Sequence, residues 1–170
     1  DYDNDGLKDL FIGNFGILDS AYYLFSNLTC TYKSGISLYK NIGTDTLPAF
    51  QLITNDFAKI MSRKLNGVVP TFGDIDGDQV PEMIIGKSNG RIDLYENTAL
   101  PGDTMNMELS QIDYMNIQVG YPITQKNAMS TPQLIDLDND SLLDLVIGER
   151  NGNLEFFKNT GSPFKIKGCD

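Results

Sequence analysis

Short apolar runs closed by glycine recur along the chain: "LFIG" at 10–13, "MIIG" at 83–86 and "LVIG" at 145–148. A continuous apolar run of that length predicts a strand covered on both faces. Each is followed by a segment that alternates, "ISLYKN", "RIDLYEN" and "NLEFFKN", which sets Ile92/Leu94 and Leu154/Phe156 on shared faces. Asn89-Gly90 and Asn151-Gly152 separate the two kinds of run in the later copies, the strongest short-range signal of a tight hairpin turn. A further strand is expected ahead of each pair ("VPTFG", "TPQLI"), and a weaker fourth behind ("AFQLIT", "MELSQIDYM"). No long segment follows the helical period.

The stretches "TFGDIDGDQVPEMIIGKSNGRIDLYENTA" and "QLIDLDNDSLLDLVIGERNGNLEFFKNTG" align without a gap, and Asp74 to Asn97 matches Asp136 to Asn159 at 23 residues. The first copy, "DYDNDGLKDLFIGN" and "SGISLYKNIG", is interrupted by an insertion at about 14–34. Four antiparallel strands per copy predict an all-β fold, a partial β-propeller of about three four-stranded blades. The whole of 1–170 reads as a single propeller segment, with units at about 1–60, 61–122 and 123–170. Three units cannot close a ring, so exposed blade faces and self-association are expected.

Composition narrows the function. Lys and Arg total 13 against 23 Asp and Glu, which disfavours nucleic acid or an anionic membrane as partner. No apolar run reaches membrane-spanning length and no signal segment is recognisable. The start at Asp1, inside a motif, makes a fragment of a longer protein the expectation. The absence of His excludes Ser-His-Asp and Cys-His nucleophile systems. Cys30 and Cys169 are far apart, without the spacing of a zinc or redox motif; if the protein is secreted, they could pair.

Twelve of the 23 acids lie in three nonapeptides, "DYDNDGLKD", "DIDGDQVPE" and "DLDNDSLLD". All fit D-x-D-x-D-x-x-x-[DE]. Alternate carboxylates on a tight loop supply the oxygens that a hard cation such as calcium requires. Three divalent ions would cancel more than half of the net charge of −10. An EF-hand would need an acid at loop position 12 and flanking helices, but Ile12, Ile85 and Ile147 stand there, within apolar strands. The expected ligands are the side chains of Asp1, Asp3, Asp5 and Asp9, of Asp74, Asp76, Asp78 and Glu82, and of Asp136, Asp138, Asp140 and Asp144. The carbonyls of Leu7, Val80 and Leu142 and water would complete up to three calcium sites.

The core D-x-D-x-D-G-x-x-D-L-x-I-G, followed by N-G-x-L-x-x-[YF]-x-N-x-G, resembles the FG-GAP/VCBS repeats of integrin-α-like β-propellers over nearly the whole chain, apart from the insertion and the loop near 98–106. "PTFGDIDGD" and "IGERNGNLEFFKNTG" look most like secreted bacterial VCBS-repeat surface proteins. The resemblance implies calcium held by the loop between two blade strands. The family favours glycine at loop position 6, which only Gly6 keeps; Gln79 and Ser141 depart from it.

The resulting expectation is a secreted or cell-surface, calcium-binding propeller segment acting in adhesion or recognition or as a scaffold, without catalysis. Its partners would be a protein or glycan ligand and the remaining blades of a parent chain, with no nucleic acid and no membrane insertion. The alternative is the propeller portion of a secreted polysaccharide hydrolase or lyase, for which Glu149 is the strongest stray acid. The aromatic-rich insertion (Tyr22, Tyr23, Phe25, Tyr32) reads either as a loop packed on its own blade or as a ligand-contacting loop. It also carries the sequon Asn27-Leu28-Thr29. Asp19-Ser20-Ala21, Asp45-Thr46-Leu47 and Asp103-Thr104-Met105, all expected in loops, resemble a bacterial O-glycosylation pattern that arises easily by chance. Among the three acidic loops, 74–82 is expected to bind calcium at least as tightly as 136–144, with 1–9 weakest for want of an entering strand.

Overall fold

The computed structural model describes residues 1–120, 128–161 and 166–168, the last three as backbone. Among the described residues the regular structure is all-β, relieved only by 3₁₀ turns at Phe57–Arg63 and Tyr114–Asn116. The strands form four small antiparallel sheets, none of them closed. The chain divides into two compact units, Asp1–Val68 and Val69–Asp170. No helix among the described residues is long and apolar enough to cross a membrane.

The first unit holds β1 (Leu10–Gly13), β2 (Ile17–Leu24), β3 (Asn27–Lys33), β4 (Ile36–Asn41) and β5 (Phe50–Thr54). The sheet order is β1-β4-β5, with β2-β3 as a separate hairpin. Leu10 pairs with Tyr39 and Gly13 with Ile36, so the two halves of the first copy meet as neighbours despite the insertion between them. Ile36, Leu38, Phe57 and Ile60 are buried, and the Phe11 ring packs edge-on against Phe57 at 5.0 Å. Leu10 and Ile12 remain 40% and 44% exposed. The "LFIG" run is therefore covered on one face only, contrary to the expectation for an apolar strand.

The insertion is a β-hairpin rather than a loop. Its turn residues Phe25 and Ser26 both have positive φ (46° and 66°), the backbone of the tight hairpin turn that usually selects Asn-Gly. Asp19 thus lies in β2, not in a loop, and pairs with Lys33 and with Lys64 at 3.2 Å.

The second unit continues with β6 (Val68–Gly73), β7 (Glu82–Lys87), β8 (Ile92–Asn97) and β9 (Met107–Gln111), a four-stranded sheet in chain order. It is followed by β10 (Ser130–Ile135), β11 (Asp144–Glu149), β12 (Leu154–Asn159) and β13 (Ile166–Gly168), again in chain order. Here the apolar run behaves as predicted: Met83, Ile84 and Ile85 are all 0% exposed. Ile84, Ile92 and Leu94 of the second copy share one core with Leu134, Leu145 and Ile147 of the third, sealed by Tyr114, Ile117 and Val119. Burial of each such side chain contributes roughly 1.5–3 kcal/mol. The closing glycine of the run has a steric reason. A Cβ on Gly86 would stand 2.1 Å from the Ser130 carbonyl oxygen, so β7 and β10 approach too closely for any side chain.

Candidate functional site

The three acidic nonapeptides fold alike, each entering the apolar strand β1, β7 or β11. The carboxylate at position one turns back on its own loop. Asp1 accepts the amides of Asp5 (3.1 Å) and Gly6 (2.9 Å), and Asp136 those of Asp140 (3.2 Å) and Ser141 (3.0 Å). Asp74 accepts those of Gly77 (2.7 Å) and Gln79 (2.9 Å). Position five accepts from position seven: Asp5 from Leu7, Asp78 from Val80 and Asp140 from Leu142, at 2.8–3.0 Å. Positions four and six are left-handed throughout, with Asn4, Gly77 and Asn139 at the former and Gly6, Gln79 and Ser141 at the latter. The two loops without glycine at position six adopt the same turn.

Carboxylate oxygens of Asp1, Asp3 and Asp5 lie within 4.8 Å of one another, as do those of Asp74, Asp76 and Asp78, and of Asp136, Asp138 and Asp144. Position nine joins the cluster only in the third loop, and in all three it also braces the backbone. Asp9, Glu82 and Asp144 accept the amides of Tyr2 (2.7 Å), Ile75 (3.0 Å) and Leu137 (3.3 Å) at position two. The second oxygens of Asp9 and Asp144 accept the amides of Asn41 and Asn159, both at 2.8 Å. Burial pushes the Glu82 carboxyl up to about 7, with Asp76, Asp78 and Asp74 adding repulsion and the Ile75 amide working against it.

A lysine enters two of the loops. Lys40 pairs with Asp3 and, at 2.9 Å, with Asp5; Lys158 pairs with Asp138 and, at 2.9 Å, with Asp140. These hydrogen bonds hold the Asp5 and Asp140 carboxyls below the usual carboxylate range. The same place in the second copy is Glu96, whose Oε1 accepts from Ser110 Oγ at 2.6 Å. Among the described residues no cation pairs with Asp74, Asp76 or Asp78.

The residue after each of these, Asn41, Asn97 or Asn159, clamps the following turn. Asn41 Oδ1 accepts from Gly43 and Ala49, Asn97 Oδ1 from Ala99 and Asn106, and Asn159 Oδ1 from Gly161. The Asn159 amide also donates to the Ile75 carbonyl (3.3 Å) and the Leu143 carbonyl (3.2 Å). Sequence reasoning assigned these asparagines no role, although their recurrence at a fixed distance from the acids was a visible signal.

A buried ionic network was also missed. Lys87 pairs with Asp93 at 2.6 Å and with Asp113 at 2.7 Å, and Arg91 reaches Asp113 at 3.3 Å. Asp93 is 0% exposed. In the third copy, the residues aligned with Lys87 and Asp93 are Glu149 and Glu155. Glu149 takes a hydrogen bond from Asn153 on one oxygen, while the other is buried without a partner among the described residues. Burial, and then the charge of Glu149, raise the Glu155 carboxyl. On the insertion hairpin, Tyr22, Tyr23 and Phe25 are exposed and Tyr32 is partly buried. Cys30 is a free, partly buried thiol, and the suggested pairing to Cys169 lies outside the described residues.

No protein-family model, no curated protein and no solved structure matches this chain. The donor chemistry itself fits a hard divalent cation: each loop brings three carboxylates together on one small turn. In the first loop, Asp3 Oδ1 is buried without a partner among the described residues, an orphan acceptor on one of the clustered carboxylates.

Proposed function

We propose that the chain is a calcium-binding repeat segment of β-propeller type, secreted or displayed at a cell surface, which serves as a non-catalytic scaffold for adhesion or recognition. The observation that carries this reading is the convergence of three carboxylates within 4.8 Å in each of three loops of equal length. Asp1, Asp3 and Asp5, Asp74, Asp76 and Asp78, and Asp136, Asp138, Asp140 and Asp144 would hold the ion. Asp9 and Glu82 would both brace the loop and lend an oxygen. The two sheets in simple chain order, β6 to β9 and β10 to β13, support the propeller reading, since a blade is a four-stranded meander. The sequence resemblance supports the extracellular setting.

Without a cation each cluster repels itself. A ligand held only by the folded state adds about 2.7 kcal/mol per site at a hundredfold excess over Kd. Calcium should therefore raise the melting temperature of metal-stripped protein by several degrees, and EDTA should reverse the gain. Identical melting curves with calcium and with EDTA would overturn the metal reading. Turnover of polysaccharides, abolished by Glu149→Gln, would favour the hydrolase reading instead.

A further inference from the structure

We infer that Lys40 and Lys158 are built-in counter-cations for the 1–9 and 136–144 loops, whereas 74–82, where Glu96 takes their place, is the loop that depends on an external divalent ion. The inference rests on the cation-binding reading above and distinguishes three sites that sequence spacing makes look alike. Each lysine stands directly before the clamping asparagine on the strand beside its loop, and its ammonium lies between the acids of positions three and five. Those acids belong to the set expected to ligate the metal. An ammonium seated there relieves the repulsion of the cluster, yet it supplies one charge where a divalent ion supplies two, and the two cations compete for the same oxygens.

The second copy keeps the same strand, the same asparagine and the same acid spacing, and at this residue it reverses the sign of the charge. Glu96 is turned to Ser110, and among the described residues Asp74, Asp76 and Asp78 are satisfied only by backbone amides of their own loop. Glu82, buried and outside that cluster, holds the Ile75 amide of the same loop. Two loops thus carry their own positive charge, and one leaves that role to solvent ions. The order of affinity that follows, 74–82 first, has an electrostatic cause independent of whether a strand enters each loop.

Calcium titration calorimetry and thermal melting of the whole 170-residue chain test this. Lys40→Met and Lys158→Met should each lower the melting temperature in EDTA and raise calcium affinity at one of the weaker sites about tenfold, so that saturating calcium restores the lost stability. Glu96→Lys should do the opposite, raising the melting temperature in EDTA and weakening the tightest site about tenfold. Lysine variants that leave both quantities unchanged would overturn the inference, as would a Glu96→Lys variant whose tightest site keeps its affinity. A wild-type protein indifferent to calcium, with lysine variants that still melt lower in EDTA, would sink the metal reading and leave the counter-cation role standing. Lysine variants that melt lower but are not rescued by calcium, in a wild type that does bind it, would make the lysines ordinary packing residues and overturn the inference.

Discussion

Position six of the acidic loops brings three different side chains to one backbone conformation: Gly6, Gln79 and Ser141 have φ of 87°, 72° and 69°. Glycine reaches that region freely, while an L-residue pays about 1–2 kcal/mol there. The cost is purely conformational, since a Cβ at Gly6 would meet nothing within 4 Å. Ser141→Gly and Gln79→Gly should each raise stability by about 1 kcal/mol, read as a shift of the urea midpoint at constant slope. The convergence of the acids was legible in the sequence, because alternate carboxylates on a tight turn are brought close together. The lysines that answer them were not, because Lys40 and Lys158 sit in alternating strands where any solvent-facing residue would look the same.

Strands announced by alternation or by apolar runs were found where the pattern put them, as β6 to β9 and β10 to β12 show. The hairpin of β2 and β3 escaped because its turn, Phe25-Ser26, lacks the residues that normally mark positive φ. Alternation also misleads in β8. "RIDLYEN" sets Ile92 and Leu94 on one face and predicts a wetter opposite face, yet Asp93 and Tyr95 are 0% and 1% exposed. A strand covered on both sides can keep an acid only if a cation is buried with it, and Lys87 supplies one at 2.6 Å. Truncation of Asp93 leaves the buried Lys87 ammonium with the partly exposed Asp113 as its counter-charge. Asp93→Ala should therefore cost about 1–3 kcal/mol in chemical denaturation.

For the molecule as a whole, the sequence repeat does not coincide with the compact units: the second and third copies share a core, and the first stands as a unit of its own. Spacing could not reveal this, since it records where strands recur and not which faces meet. Global stability should also carry the signature of one buried acid. Glu82 has an ordinary value of 4.5 that rises to about 7 in the folded, metal-free chain. The fold then holds this proton more tightly than the unfolded chain does, so the contribution is present below 4.5 and lost as pH rises through 7. At about 1.4 kcal/mol per pH unit, the loss is up to about 3 kcal/mol. Denaturation in EDTA across that range should show the decline, and Glu82→Gln should flatten it. Asp5 and Asp140, lowered by their lysines, act in the opposite sense and only below their ordinary 3.8, so the two windows stay apart. The side-chain amide of Asn159, which reaches across the second unit to the Ile75 carbonyl, has a mechanical consequence. Ile75 is the residue whose own amide Glu82 holds, so the end of the third copy is latched onto the loop of the second. Tension that peeled β12 away would pull on the backbone of the neighbouring loop through this bond, and an ion held there would act as a rivet resisting the pull.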